Sequence, residues 1–296
     1  MTELVHKSGF VTIIGCPNAG KSTLMNAFLG EKLSIVTPKA QTTRHRILGI
    51  LNEPDYQIVF SDTPGIIKPH YELHKSMMKF VSYSLEDADL VLVMHDLTED
   101  NFDSDLLEKC KKIEVTKFLI LNKNDLVNQK EIEKYHADEE FKSVFADIID
   151  ISAINRINIS FLLSRILEKI PTHPAYYDKE ELTDKPERFF ASEIIREKIL
   201  LNYQQEIPYS CEVLINSFKE KENVIVISAE IIVERDSQKG ILIGKNGESL
   251  KKMATDARLE LEKFFDKKIF LETHVKVAKD WRKSINHLSK FGYNQK

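Results

Sequence analysis

Cysteine is scarce. The chain holds three in 296 residues, Cys16, Cys110 and Cys211, far apart and odd in number. They give neither the ligand spacing of a zinc site nor a disulfide framework, so a reducing cytoplasm is the expected compartment. No apolar stretch approaches the ~18 residues that a membrane span needs. The first residues, Met1-Thr2-Glu3-Leu4-Val5-His6-Lys7, lack the basic start and long apolar core of an export signal. Internal repeats and low-complexity tracts are also missing, which sets aside solenoid and disordered classes.

What is present suits a soluble globular protein of two domains: 42% apolar residues, 30% charged, and a length beyond one average domain. The net charge of −4 hides an asymmetry. From Lys239 to Lys296 there are 14 Lys and Arg against 7 Asp and Glu, while the remainder is acidic. A basic C-terminal module suggests a polyanionic partner, although a solvated basic face would look the same.

Along the chain, strand and helix patterns alternate up to Ile170. Residues 10–14 form an apolar run, and 21–29 favour helix. Glu31 to His45 is a polar loop expected to be mobile. Arg46 to Leu51 and Tyr56 to Ser61 read as strands, Glu72 to Ala88 as helix, and Leu90 to Met94 as a buried central strand. Asp103 to Ile113 is a predicted helix, Lys117 to Leu121 a strand, Glu131 to Phe145 one amphipathic helix, Asp147 to Ile151 a strand and Ile159 to Ile170 a final helix. This alternation predicts an α/β domain with a mostly parallel sheet covered on both faces. Prolines at 171, 174 and 186 mark an ordered linker, giving domains at 1–171 and 190–296 around a linker at 172–189. The second domain reads helix, strand, strand, helix, helix, strand: Phe190 to Leu201, Tyr209 to Phe218, Val224 to Glu234, Gln238 to Ile243, Leu250 to Phe264 and Lys268 to Val277.

The candidate sites fall at strand ends. The stretch Gly15-Cys16-Pro17-Asn18-Ala19-Gly20-Lys21-Ser22 follows the first strand and opens the first helix, with Thr23 next. Strand, glycine-rich turn and helix make a phosphate cradle of backbone N–H groups at a helix N-terminus. Lys21 supplies a positive charge for the outer phosphates, and Ser22 a hydroxyl for magnesium. Cys16 is assigned no chemistry of its own. Asp62-Thr63-Pro64-Gly65 closes the third strand; Asp62 would hold magnesium, and the Gly65 N–H would reach the third phosphate. Thr43, or its neighbour Thr42, is the candidate for a second hydroxyl on magnesium. Lys21, Thr43 and Gly65 are thus the catalytic candidates, and Ser22, Thr43 and Asp62 the metal set. Asn122-Lys123-Asn124-Asp125 names the base: the Asp125 carboxylate can accept from both the ring N–H and the exocyclic amine of guanine, and adenine presents no such pair. The stem of Lys123 would cover the base, and the Ser152-Ala153 backbone would meet its carbonyl oxygen. A glutamine that many GTPases place after this aspartate-glycine motif is absent; Ile66 stands there, so slow intrinsic hydrolysis is expected. Asn18 is a candidate to help hold a potassium ion beside the phosphates.

In the second domain, Gly244-Lys245-Asn246-Gly247 is a GXXG loop between two helical segments, with Lys251 and Lys252 beside it. Such a loop lets a single-stranded nucleic-acid backbone approach closely.

Taken together, GCPNAGKS, KAQTTRHR, DTPG, NKND, SA, FFASEIIREKIL and GILIGKNGESLK resemble the Era family of bacterial GTPases over nearly the whole chain. Ala19 stands where valine is commoner. The resemblance implies a P-loop GTPase domain followed by an α+β KH domain of type II, magnesium-dependent hydrolysis of GTP to GDP, and a role in maturing the small (30S) ribosomal subunit. It also implies a KH domain that grips the 3′ end of 16S ribosomal RNA, and loose association with the inner face of the cell membrane. The chain is expected to work as a monomer. The other open reading is a GTP-dependent structural or membrane-associated module whose KH-like domain binds protein.

Overall fold

The computed structural model describes residues 6–293, so most of the N-terminal stretch read for an export signal lies outside the described residues. The chain groups into two compact units, one of the residues up to Lys68 with Met77–Asp184, the other of Pro69–Ser76 with the residues from Lys185.

In the first unit the order is β1 (Lys7–Gly15), α1 (Lys21–Leu29), β2 (Ile47–Asn52), β3 (Tyr56–Asp62), α2 (Glu72–Glu86, which enters this unit at Met77), β4 (Leu90–Asp96), α3 (Ser104–Lys112), β5 (Lys117–Asn122), α4 (Gln129–Ala137), α5 (Glu139–Val144), β6 (Asp147–Ile151) and α6 (Ile159–Lys169). The sheet runs β2-β3-β1-β4-β5-β6, parallel throughout except for the antiparallel β2–β3 pair. Every residue of β4 is buried, as a continuous apolar run in mid-sheet requires. Its neighbours β1 and β5 carry Ile13, Leu119 and Leu121, none of them exposed. Because β1, β3, β4 and β5 run parallel, their C-terminal ends lie side by side. That is where the sequence motifs fall.

One predicted helix is two. Between α4 and α5 the carboxylate of Asp138 accepts the N–H groups of Glu140 and Phe141 at 2.8 and 3.4 Å. Aspartate at such a position satisfies orphan amides of a new helix and starts it afresh. Helical periodicity persists through the break, so the pattern alone did not show it.

The proline-marked stretch after α6 is a strap on the first unit's sheet. The Ser8 N–H donates to Pro171 O at 3.2 Å. The Gln57 side-chain oxygen accepts from the N–H groups of Tyr176 (2.7 Å) and Tyr177 (3.0 Å), and its Nε2 donates to Tyr177 O (2.9 Å). On β2, the sheet's edge, the Ile50 N–H donates to Leu182 O at 2.9 Å and the Leu48 N–H to Asp184 Oδ1 at 3.2 Å. Edge amides left open would invite pairing with another chain; here the strap takes them.

The second unit contains α7 (Glu187–Asn202), α8 (Ile207–Ser210), β7 (Glu212–Glu220), β8 (Val224–Val233), α9 (Asp236–Ile243), α10 (Glu248–Phe264), β9 (Lys268–Val277) and α11 (Ile285–Lys290). Its sheet runs β7-β8-β9, the first pair antiparallel and the second parallel. Ile195 and Ile199 of α7 and Met253, Ala257 and Leu261 of α10 pack with Ile227, Ala229 and Ile231 of β8 into one core. Three differences from the sequence reading stand out. α7 begins at Glu187, directly after Pro186, rather than at Phe190. The strand expected from Tyr209 begins at Glu212, because Ile207–Ser210 forms a short helix with proline in its first turn, where a missing N–H costs nothing. Beyond Val277 the chain continues in structure: Trp281 is fully buried with Nε1 donating to Ser210 O at 2.9 Å, and the Tyr293 hydroxyl donates to Glu212 Oε2 at 2.6 Å.

Candidate functional site

The loop from β1 to α1 is shaped by what surrounds it. Gly20 has φ +97°, and a Cβ there would lie 2.2 Å from Asn122 Nδ2, so no side chain fits. Lys21 follows on the first turn of α1. It is buried, and its Nζ donates to the backbone oxygens of Gly15 (3.2 Å) and Cys16 (2.8 Å). Burial pushes its pKa down to about 8, with the charge of Asp62 opposing the fall. A cation that gives up water and gains only two carbonyls lacks a full counter-charge, and phosphate supplies one.

Ser22, Thr43 and Asp62 converge. The Ser22 hydroxyl donates to Asp62 Oδ2 at 2.6 Å and lies 2.8 Å from Thr43 Oγ1, which is itself 3.4 Å from Asp62 Oδ2. Asp62 Oδ1 is buried and accepts no hydrogen bond. Burial drives the Asp62 carboxyl upward in pKa, against hydrogen bonds from the hydroxyls and the charge of Lys21. Two hydroxyls around an oxygen-only carboxylate with an orphaned buried atom fit a hard divalent cation such as magnesium. Thr42, the alternative, is engaged elsewhere: its hydroxyl donates to Lys39 O at 2.6 Å and sits 2.7 Å from Thr37 Oγ1. The Ile66 N–H donates to Gly15 O at 3.0 Å, which ties the turn around Gly65 to the phosphate loop.

Asn122 joins three motifs. Its Nδ2 donates to Ala19 O at 2.8 Å, and its Oδ1 accepts the Ala153 N–H at 3.0 Å. Lys123 has φ +66°, and its ammonium is held by Asp96 at the end of β4. Burial raises the Asp96 carboxyl, but Lys123 and the hydroxyl and N–H of Thr98 together outweigh it and hold the carboxyl below its ordinary range. Asp125 is exposed at the rim, with Asn155 Nδ2 donating to its Oδ2 at 2.9 Å. Pro17, Asn18, Gly20, Lys21, Ser22, Thr23, Thr43, Gly65, Asn122, Lys123 and Asp125 line one open cleft of about 520 Å³. Among the described residues no cluster of three or more His, Cys, Asp or Glu side chains that could hold a metal is found.

The second unit presents the GXXG loop at the N-terminus of α10. Gly244 has φ +72°, and a Cβ there would lie 2.2 Å from Ser249 Oγ. Asn246 and Gly247 also have positive φ, at 52° and 79°, which folds the loop into one tight turn. The first turn of α10 has no side-chain cap, and its first amide, the Glu248 N–H, closes the turn by donating to Lys245 O. Lys245, Lys251 and Lys252 are exposed and pair with no carboxylate among the described residues. Ile241 on α9 is 52% exposed.

Known proteins match both units. Residues 10–123 fit the family model described as 50S ribosome-binding GTPase, and 206–282 the one described as KH domain. GTPase Era of Syntrophus aciditrophicus is 45% identical over 99% of this chain and 97% of its own length. The chain belongs to the GTPase Era family. GTPase ERA1, chloroplastic, of Zea mays is 47% identical over 97% of this chain and 71% of its own. A crystal structure of Era in complex with MgGDPNP and nucleotides 1506–1542 of 16S ribosomal RNA superposes with TM-score 0.92 at 38% identity, covering 98% of this chain and all of that one. A crystal structure of an Aquifex aeolicus Era variant bound to GDP and AlF4− also matches with TM-score 0.92, at 38% identity and the same coverage. As a member of that family the chain is a GTPase of P-loop and KH domains.

Two of the predicted site residues have side chains that the scaffold engages. Thr63 is fully buried and its hydroxyl donates to Ile13 O at 2.7 Å, so its side chain does not reach the cleft. Ser152 is fully buried too, and its Oγ accepts the Asn155 N–H at 3.2 Å. Cys16 is a half-buried free thiol, and burial raises its pKa. Two residues of the base-side cluster were missed: Asp96, signalled by its place at the end of the apolar run from Leu90, and Asn155, which no spacing rule marks.

Proposed function

We propose that the chain is a GTP-hydrolysing switch that binds the 3′ end of 16S ribosomal RNA and assists maturation of the small ribosomal subunit. The observation that carries the reading is the convergence of Ser22, Thr43 and the half-satisfied carboxylate of Asp62 beside Lys21, at the floor of a cleft whose other end is built by Asn122, Lys123 and Asp125. Lys21 takes the outer phosphates. Asp125 accepts from both guanine donors, and Lys123, fixed by Asp96, lays its stem along the base. Ser22 and Thr43 with Asp62 hold magnesium, which when bound neutralises charge developing on the phosphates. The Gly65 N–H would meet the third phosphate, and loss of that phosphate on hydrolysis would free the following segment. Ile66 can neither orient nor activate the attacking water, so positioning falls to backbone groups and to a cation held beside Asn18. In the second unit the GXXG turn and the three exposed lysines take the RNA backbone, with bases over α9 near Ile241. A solved Era carries this 16S fragment with a GTP analogue, which supports the assignment for a chain 38% identical to it.

The proposed place of work is the cytoplasm, with peripheral contact to the inner face of the membrane; among the described residues no helix is long and apolar enough to cross one. The test is binding of the full chain with magnesium and a non-hydrolysable GTP analogue to a single-stranded 16S 3′-end RNA across a salt series. A log–log slope matching several phosphate contacts is expected. A flat slope or no binding would overturn the RNA part of the reading.

A further inference from the structure

We propose that Asn155 is a positioning residue for guanine recognition: its side-chain amide holds the Asp125 carboxylate in the orientation that meets the base. The inference rests on the reading of Asp125 as the residue that selects guanine.

Asp125 sits in the short turn Asn124–Leu126 at the exposed rim of the cleft. A free carboxylate there would rotate, and ordering it would cost entropy at each binding event. Asn155 Nδ2 donates to Asp125 Oδ2 at 2.9 Å. A carboxylate offers about four lone-pair positions. One spent on Asn155 leaves Oδ1 and the second lone pair of Oδ2 for the two guanine donors, so the amide orients without competing.

Asn155 can do this because its own loop is tied down. Its backbone N–H donates to the buried Ser152 Oγ at 3.2 Å, and Ser152 and Ile157 exchange two backbone hydrogen bonds of 3.3 and 3.0 Å. Asn158 Nδ2 donates to Asp150 O at 2.8 Å, closing the same turn. The turn carrying Asp125 is tethered from the other side, where Asn124 Nδ2 donates to Asp150 Oδ2 at 3.0 Å. Asn122 to Ala153, Asn124 to Asp150 and Asn155 to Asp125 are thus three ties between the two base-side loops. Only the third touches the group that reads the base. A neutral donor is what the position needs: a cation would drain the charge that makes Asp125 a strong double acceptor, and an acid would repel it.

The test measures dissociation of fluorescent GDP from the full chain with magnesium. Asn155→Ala should speed release by about 3- to 10-fold, the worth of one modest hydrogen bond, with the melting temperature unchanged. Asn155→Asp should release faster still near pH 8, where two carboxylates face each other, and recover towards wild type near about pH 5.5, where one shared proton makes the new side chain a donor again. Lys123, Asp150 and His136, whose Nε2 is 3.6 Å from Asp150 Oδ1, also face this cluster. They are common to all variants, so the ratio of Asn155→Asp to Asn155→Ala isolates the new pair. A role confined to loop packing would give no such recovery. Release within twofold of wild type for Asn155→Ala, or a flat ratio across pH, would overturn the proposal. Asp125→Asn, tested for a switch from GTP to xanthosine triphosphate, separates the two ideas: without the switch the reading of Asp125 has failed, and with the switch but silent Asn155 variants only the role of Asn155 has failed.

Discussion

The hydroxyls of Ser22 and Thr43 stand 2.8 Å apart, although 21 positions separate them in the chain, and both address Oδ2 of Asp62. The loop between α1 and β2 is thereby drawn onto the phosphate loop at one residue, and that residue is Thr43 rather than Thr42. Thr43→Ala should lower the hydrolysis rate by roughly 10- to 100-fold with a smaller change in GTP affinity, since on the proposed reading it removes a ligand of the cation that would stabilise the reacting phosphate. Thr42→Ala should stay within about threefold of wild type, because its hydroxyl donates to Lys39 O beside Thr37 Oγ1. Single-turnover hydrolysis across a magnesium titration measures both. Equal losses in the two variants would refute the assignment.

Lys21 predicts a pH dependence with a definite sign. Its pKa in the nucleotide-free protein is lowered to about 8, below the ordinary lysine value, with burial the main cause. Between about pH 8 and the unfolded-state value near 10.4 the unfolded chain binds more protons, so this group makes the free protein more stable as pH rises through that window. Phosphate needs the charged form. GTP affinity should therefore fall as pH passes about 8, and binding at about pH 8.5 should take up a proton that binding at about pH 6.5 does not. Calorimetry in two buffers of different ionisation enthalpy reads this directly. Equal proton uptake at both values would contradict it, as would Lys21→Met leaving GTP affinity intact.

Backbone and side chains differed in how legible they were in the sequence. Leu90 to Met94 announced a central strand because mid-sheet burial leaves no polar alternation, and the phosphate and base motifs were readable because they sit at the ends of such runs. The strand's own end, His95 and Asp96, escaped notice since its importance lies in gripping Lys123 across the sheet. The choice between Thr42 and Thr43 turned on which hydroxyl faces Ser22, a matter of loop path rather than of spacing. Asp138 restarts a helix inside an unbroken periodic pattern. Trp281 and Tyr293 lie in a stretch without period 2 or 3.6, and only their partners Ser210 and Glu212 show why it is ordered.

Asn18 lines the cleft in a left-handed conformation with φ +65°, and its side chain makes no hydrogen bond among the described residues. We propose that its amide oxygen helps hold a monovalent cation beside the phosphates, which would offset charge there. Hydrolysis should be faster in potassium than in sodium at equal ionic strength, and Asn18→Ala should abolish the difference. Identical wild-type rates in the two salts would remove the idea.

A guanine-nucleotide site in one unit and an RNA surface in the other make a switch only if the GXXG turn grips RNA. Replacing Lys245 and Asn246 together by Asp removes one positive charge and adds two negative ones on an exposed turn. The core residues Met253, Ala257 and Leu261 stay untouched. The measurement is binding of this double variant and of wild type, as full chains with magnesium and a GTP analogue, to labelled single-stranded 16S 3′-end RNA over a salt series, with GTP affinity and melting temperature recorded on the same samples. The predicted result is loss of RNA binding, with a smaller salt slope for any residual binding and with nucleotide affinity and melting unchanged. RNA binding at wild-type strength by a folded double variant would contradict it, leaving the turn structural and the basic surface for another partner.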